Sequence, residues 1–242
     1  KHTPALPLYT VKDAQQALRL LKTVDYREPL KLGSGVTARF INAGHILGSS
    51  FVQIDVEEGG KSARLVFSGD LGRYQQPLHT DPDPLPECDA LVMESTYGDR
   101  LHKPIEQMDD ELAAIVKKVY DRGGKVVIPS FALERAQELV YAFKGLREAG
   151  RLPPMPIYVD SPLTVKITDV FKLHPECLDE EALELLQGRN SPFEFDDLHY
   201  ISDKEDSKAV SSSNEPSIVI SASGMCEAGR ILHHLKGSIS SS

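Results

Sequence analysis

The chain has 242 residues, 40% of them hydrophobic, enough to bury a substantial core in one large domain or two ordinary ones. Its formal net charge of −9 argues against a general nucleic-acid coat, because phosphate contacts need a basic surface, but a local basic cleft or bound metal ions can still hold phosphate. There is no run of about 18 consecutive apolar residues, which excludes a membrane-spanning helix. Cys88, Cys177 and Cys226 lie far apart with no CxxC pair, which argues against a disulfide scaffold or a thiolate zinc cage and fits a reducing cytoplasm.

The start, Lys1-His2-Thr3-Pro4, has neither an initiator Met nor an apolar signal core, and reads as a cut end or the start of an interior fragment. Thr10 with Asp13 predicts a capping box, and behind it Ala14, Leu18 and Leu21 share one helical face. Residues 36–42, 51–57 and 63–68 read as strands; Val52, Ile54 and Val56 alternate with polar residues, and Gly59-Gly60 supplies a hairpin turn. Pro77 to Pro86 is a loop, and Ala90 to Met93 is another apolar strand.

From about residue 104 helices alternate with short apolar strands. Met108, Leu112, Ile115, Val116 and Val119 form one apolar helical face, and Gly123 is placed to end that helix. Strands at 126–128, 157–159 and 218–220 are each followed by a helix, over about 132–147 after the first and 225–236 after the last. This alternation predicts a mostly parallel sheet with helices on its faces. Residues 203–216 are polar and read as a surface loop; residues 237–242 are low in complexity and read as a tail or linker.

Three strand-end loops carry the clearest chemical signals. They are Asn42-Ala43-Gly44-His45-Ile46-Leu47-Gly48-Ser49-Ser50, Phe67-Ser68-Gly69-Asp70-Leu71-Gly72-Arg73 and Met93-Glu94-Ser95-Thr96-Tyr97-Gly98-Asp99-Arg100. In each, an ionisable group follows an apolar strand and sits among small residues that let the backbone approach a ligand closely. An imidazole and carboxylates gathered this way can bind zinc. Singly, each string has a plainer reading: a structural histidine, a Gly-Asp turn, a capping glutamate.

Together and in this order the three strings resemble the metallo-β-lactamase superfamily, specifically its β-CASP branch of RNA-cleaving polyadenylation-factor and RNase J-like nucleases. The resemblance continues through Pro129-Ser130-Phe131-Ala132-Leu133-Glu134-Arg135-Ala136-Gln137-Glu138, Ser221-Ala222-Ser223-Gly224-Met225 and Gly229-Arg230-Ile231-Leu232-His233-His234-Leu235. It implies an α/β chain: part of a metallo-β-lactamase αββα fold over residues 1–103, then an inserted parallel-sheet β-CASP domain over 104–236. The family's His-x-His-x-Asp-His loop is not in this sequence, nor are two later histidine motifs, so the chain is expected to be an internal segment that is inactive alone.

The resemblance also implies roles. His45 would ligate one of two zinc ions and Asp70 would bridge both. Glu94 would orient the histidine that protonates the leaving oxygen, and a metal-activated hydroxide would cut an RNA phosphodiester. Ser130, Ser161, Ser223 and Gly224 stand between strand and helix, where backbone amides attract phosphate, and Arg135 can add a charge-assisted bond. Plain helix capping by serine is the alternative. The expected partner is RNA, with no membrane and with a homodimer left open. The competing activity is hydrolysis of a small substrate such as an ester on the same fold, and DNA against RNA is undecided. His233 and His234 read as structural or solvent-facing, because adjacent helical residues point apart. His2, His79, His102, His174 and His199 sit in no motif and read as surface residues.

Overall fold

A computed structural model describes residues 7–101, 104, 106–188 and 191–239. The chain divides into two compact units: residues 1–41, 51–67 and 86–92 in one, residues 42–50, 68–85 and 93–242 in the other.

The first unit opens with α1 (Val11–Leu18), whose capping box is formed as expected, the Thr10 and Asp13 side chains each bonding the other's backbone N–H. Its apolar face is not buried; Leu18 is 64% exposed and no residue of the helix is buried among the described residues. Five strands follow: β1 (Leu30–Gly33), β2 (Val36–Asn42), β3 (Ser50–Glu58), β4 (Lys61–Phe67) and β5 (Ala90–Val92), in that spatial order. The sequence pattern did not reveal β1, a short exposed edge strand antiparallel to β2. β3 and β4 form the expected hairpin; Gly59 and Gly60 both take positive φ, +57° and +78°, which a two-residue turn matching strand twist requires. β5 runs parallel to β4.

The second unit holds α2 (Glu106–Asp121), β6 (Lys125–Pro129), α3 (Arg135–Glu148), β7 (Ile157–Asp160), α4 (Pro162–Leu173), α5 (Glu180–Gln187), β8 (Leu198–Ile201), α6 (Lys204–Ser212), β9 (Ser217–Ser221) and α7 (Ile231–Ser238). The sheet order is β6-β9-β7-β8 and every pairing is parallel, so this part of the chain has the expected α/β architecture. β9 is flanked on both sides, Ile218 opposite Val126 and Ile157, and all five of its residues are buried. An uninterrupted apolar run is what a strand covered on both faces needs. Gly123, at φ +71°, ends α2 as expected. The main apolar core lies here, around Phe143, Phe171, Phe193, Ile157 and Ile220.

Several boundaries differ from the sequence reading. Residues 204–212 form α6 rather than a loop. Asp203 caps it, accepting from the Glu205 and Asp206 amides, and only Ser207 and Val210 are buried, too few for a visible period. α3 starts at Arg135, because Glu134 is held at φ +73°. α7 starts at Ile231, because Gly229 at φ +83° and Cys226 at φ +55° keep residues 222–230 out of the helix. The helix then runs through Gly237 and Ser238, into the segment whose low complexity suggests a tail; residues 240–242 lie outside the described residues.

Candidate functional site

The three motif loops are tied to one another by backbone and short side chains. In the first, Asn42 Oδ1 accepts from Gly44 N at 2.9 Å and Ser49 Oγ accepts from His45 N at 2.9 Å and Ile46 N at 3.2 Å, which fixes the turn that presents His45. In the second, Gly69 takes φ +55° and Gly72 N donates to Ala43 O at 2.8 Å, joining the Asp70 loop to the His45 loop. A Cβ on Gly72 would stand 1.7 Å from Gly44 O, so only glycine permits this approach. In the third, Glu94 N donates to Ser68 Oγ at 3.0 Å, and Glu94 Oε1 accepts from Leu71 N at 2.6 Å. Thr96 Oγ1 donates to Glu94 Oε2 at 2.7 Å.

His45 Nε2 and Asp70 Oδ2 are consequently 3.9 Å apart, although twenty-five positions separate them in sequence. Both are accessible, with side chains 41% and 77% exposed. Two donors each about 2.0–2.2 Å from one zinc ion stand at most about 4.4 Å apart, so this pair fits as part of a zinc site. It is only part of one: among the described residues no group of three or more His, Cys, Asp or Glu side chains could hold a metal ion. The Leu71 amide, then the Thr96 hydroxyl, hold the Glu94 carboxyl below the usual glutamate range, with the nearby His45 a lesser contribution.

The cassette residues are placed as follows. Ser130 is buried, with its N–H given to Ser221 O and its hydroxyl to Phe131 O, both at 3.0 Å. Ser161 is buried and caps α4, its Oγ accepting from Thr164 N at 3.2 Å. Arg135 is exposed on the first turn of α3, with NH1 3.0 Å from Glu138 Oε2. Ser223 N and Oγ both donate to Ala228 O at 3.2 Å, and Gly224 lies so close to Phe131 that a Cβ there would meet its ring at 3.1 Å. The two buried serines therefore spend their hydroxyls inside the fold, whereas Arg135 and the turn at 223–224 reach its surface.

Two clusters escaped the sequence reading. His79, expected at the surface, is buried against Glu134, whose second oxygen accepts from Leu47 N at 3.3 Å in the His45 loop. Burial pulls the His79 pKa down, but the bond to Glu134 outweighs it and leaves the imidazole above its ordinary value. The second cluster centres on Asp160, fully buried at the end of β7. Its carboxylate accepts from Ser207 Oγ at 2.6 Å and Arg230 NH1 at 2.7 Å, and lies 2.6 Å from His234 Nε2. His234 is buried and His233 exposed, as their adjacency on a helix implies. His174 and His199 are exposed; His2 and His102 lie outside the described residues. No local spacing signals either cluster, since His79 is 55 positions from Glu134 and Asp160 is 47, 70 and 74 positions from Ser207, Arg230 and His234. The only hint was that Glu134, Arg230 and His234 fall inside the family-like strings.

The chain thus combines loops after β2, β4 and β5 that gather an imidazole and carboxylates with a separate, wholly parallel α/β sheet, and sequence comparison says what this combination resembles. Residues 136–242 match the Beta-Casp domain family. The chain is 39% identical over 235 residues to "Ribonuclease TTHA0252" of Thermus thermophilus, covering 97% of this chain and 53% of that protein. It is 32% identical to the "RNase J-like protein" of Methanocaldococcus jannaschii, covering 94% and 52%, and 26% identical to "Endoribonuclease YSH1" of Kluyveromyces lactis, covering 92% and 29%. Residues 136–242 are similar to the Beta-Casp domain, and over nearly its whole length the chain is similar to proteins named as ribonucleases or RNase J-like. It spans about half the length of the first two of these relatives.

Proposed function

We propose that this chain is the β-CASP portion, with the adjoining metal-ligand loops, of a zinc-dependent hydrolase that cuts RNA. The observation that carries the proposal is the 3.9 Å approach of His45 and Asp70 on loops that Glu94 and Gly72 lock together. That several relatives are named as ribonucleases supports RNA as the substrate. Residues 1–103 are assigned to the lactamase-like part and residues from 104 onward to the β-CASP part.

His45 and Asp70 are the residues here that would hold metal. Zinc bound at such a site supplies Lewis acidity and positive charge toward a phosphate. The protein's own residues do the positioning. Glu94 holds the Asp70 loop through the Leu71 amide, and Ser49 sets the imidazole of His45 through two backbone bonds. Arg135 and the turn at Ser223-Gly224 are the proposed phosphate contacts; Ser130 and Ser161 order the loops beneath them. Among the described residues no helix is long and apolar enough to cross a membrane. Three unpaired cysteines suit the proposed reducing, cytoplasmic setting.

The test is Asp70→Ala in the protein that carries this chain, with cleavage of a labelled RNA measured beside binding of the same RNA. Cleavage should vanish while most binding persists. Activity within about tenfold of the unaltered protein would reject the role, since losses at metal sites commonly reach that size.

A further inference from the structure

The apolar face that the sequence assigns to α2 is covered on one side only. Val116 and Val119 are buried in the core, but Met108 is 45% exposed and Ile115 53% exposed. With Leu112 they form an i, i+4, i+7 stripe, the pattern by which one helix seats another. The stripe, together with Leu139 and Ala142 of α3 and Leu185 of α5, floors a cavity of about 660 Å³.

The charges around this groove say what could fill it. Among the described residues its lining holds five carboxylates and three cations. Two of those cations already face carboxylates in the same lining: Arg135 NH1 stands 3.0 Å from Glu138, and Lys144 Nζ stands 3.4 Å from Glu148. Asp109, Glu111 and Glu181 are exposed along the rim. Apart from Arg135, proposed above as a phosphate contact and itself 3.0 Å from Glu138, this acidity disfavours a polyanion along the Met108–Ile115 stripe. An apolar floor with an acidic rim instead complements an apolar stripe flanked by lysines or arginines.

We propose that the groove between α2 and α3 docks a basic amphipathic helix of a protein partner. Met108, Leu112 and Ile115 receive its apolar anchors, and Asp109, Glu111 and Glu181 receive its cations. α2 is 16 residues long, about 24 Å, and the stripe occupies two turns of it, so the occupant is a helix of about three to four turns. The proposal does not rest on the nuclease reading and concerns a surface distinct from the His45 and Asp70 pair.

The four methionines make the test direct. The 242-residue chain is labelled with ¹³C at its methionine methyls and titrated with a synthetic 15-residue peptide. The peptide carries leucine at i, i+3, i+4 and i+7, with lysine flanking that stripe. The Met108 signal should shift saturably while that of Met155, only 1% exposed, stays fixed. A peptide of the same composition, shuffled to destroy the stripe, should leave Met108 unmoved. Ile115→Ser should weaken binding about fivefold to tenfold, as loss of a partly exposed apolar anchor predicts. Its thermal midpoint should match that of the unaltered chain, because the side chain contributes little to the core. Asp109→Lys with Glu181→Lys should weaken binding further and flatten its salt dependence. Equal binding of the shuffled peptide, an unchanged affinity for Ile115→Ser, or no movement of Met108 would overturn the proposal. So would an eight-nucleotide single-stranded RNA that moves Met108 where the peptide does not.

Discussion

The two sheets of this chain are held by different forces. In the parallel sheet all five residues of β9 are buried; Ile157 and Val159 join Ile218 and Ile220 in the main core, and Ile201 packs with Val219 in a second cluster. In the five-stranded sheet every residue of β1 and β5 is exposed, and among the described residues the buried apolar ones of its unit are few: Ala38, Phe51 and Val66. What stands out there is polar. Asp55 on β3 accepts from Arg39 on β2 at 2.5 Å, from Arg64 on β4 at 2.7 Å and from Gln53 at 2.8 Å. One sheet is a product of apolar burial, the other leans on a cross-strand ionic cluster. The two should respond oppositely to cavity-forming substitutions and to salt.

The largest effect should come from the buried Asp160 cluster of the apolar unit. Asp160→Ala would leave the buried His234 without its carboxylate and Arg230 with only backbone partners, and loss of one partner of a buried pair costs about 3–5 kcal/mol. Urea denaturation should show it, with Asp160→Asn less severe. Burial pushes the Asp160 carboxyl up, but bonds from His234, Ser207 and Arg230 win and hold it below the ordinary aspartate value. Its contribution is therefore fully present above an unfolded carboxylate pKa of about 4 and is lost as pH falls through the lower folded value. The acid limb of the stability curve should flatten in Asp160→Asn; an unaltered limb would remove Asp160 from the account.

Next, Ile218→Ala, at a fully buried position, should cost about 2–5 kcal/mol, whereas Leu91→Ala, 40% exposed on β5, should cost less than about 1 kcal/mol. Equal losses in denaturation would erase the contrast between the sheets. Asp55→Ala should cost about 1 kcal/mol and, unlike Ile218→Ala, should lose part of its effect at 1 M salt, where the Debye length is about 3 Å. Smallest is Thr10→Ala. It removes the cap of a helix with no buried residue, so it should fray α1 by about 0.5–1 kcal/mol, visible in amide exchange of residues 11–18 and not in the global midpoint.

Period and turn chemistry made much of this architecture legible. β2, the β3–β4 hairpin, the strands at β6, β7 and β9 and the end of α2 at Gly123 all follow from alternation, apolar runs and glycines at positive φ. The sequence concealed elements whose buried face is narrow. α6 buries only Ser207 and Val210, and β1 buries nothing. The loops of His45, Asp70 and Glu94, which the fold brings together, could be singled out because each follows a strand and holds an ionisable group among small residues. The roles of Glu134, Asp160, Arg230 and His234 were not, because each acts through a partner brought near only by the fold. His79 shows the same limit: an imidazole in a proline-flanked polar loop looks solvated until α3 brings Glu134 against it.

The contact between Gly72 and Gly44 separates two properties that are usually entangled. The His45 and Asp70 loops meet main chain to main chain, with no side chain between them. Their spacing is therefore insulated from whatever groups occupy positions 45 and 70. A designer could exchange histidine for aspartate, or aspartate for histidine, and change the chemistry of the pair without moving the scaffold that carries it. The converse change, a single methyl group at position 72, would keep both donors and spoil their distance. Chemical identity and geometry are written here in different residues, and each can be varied while the other is held constant.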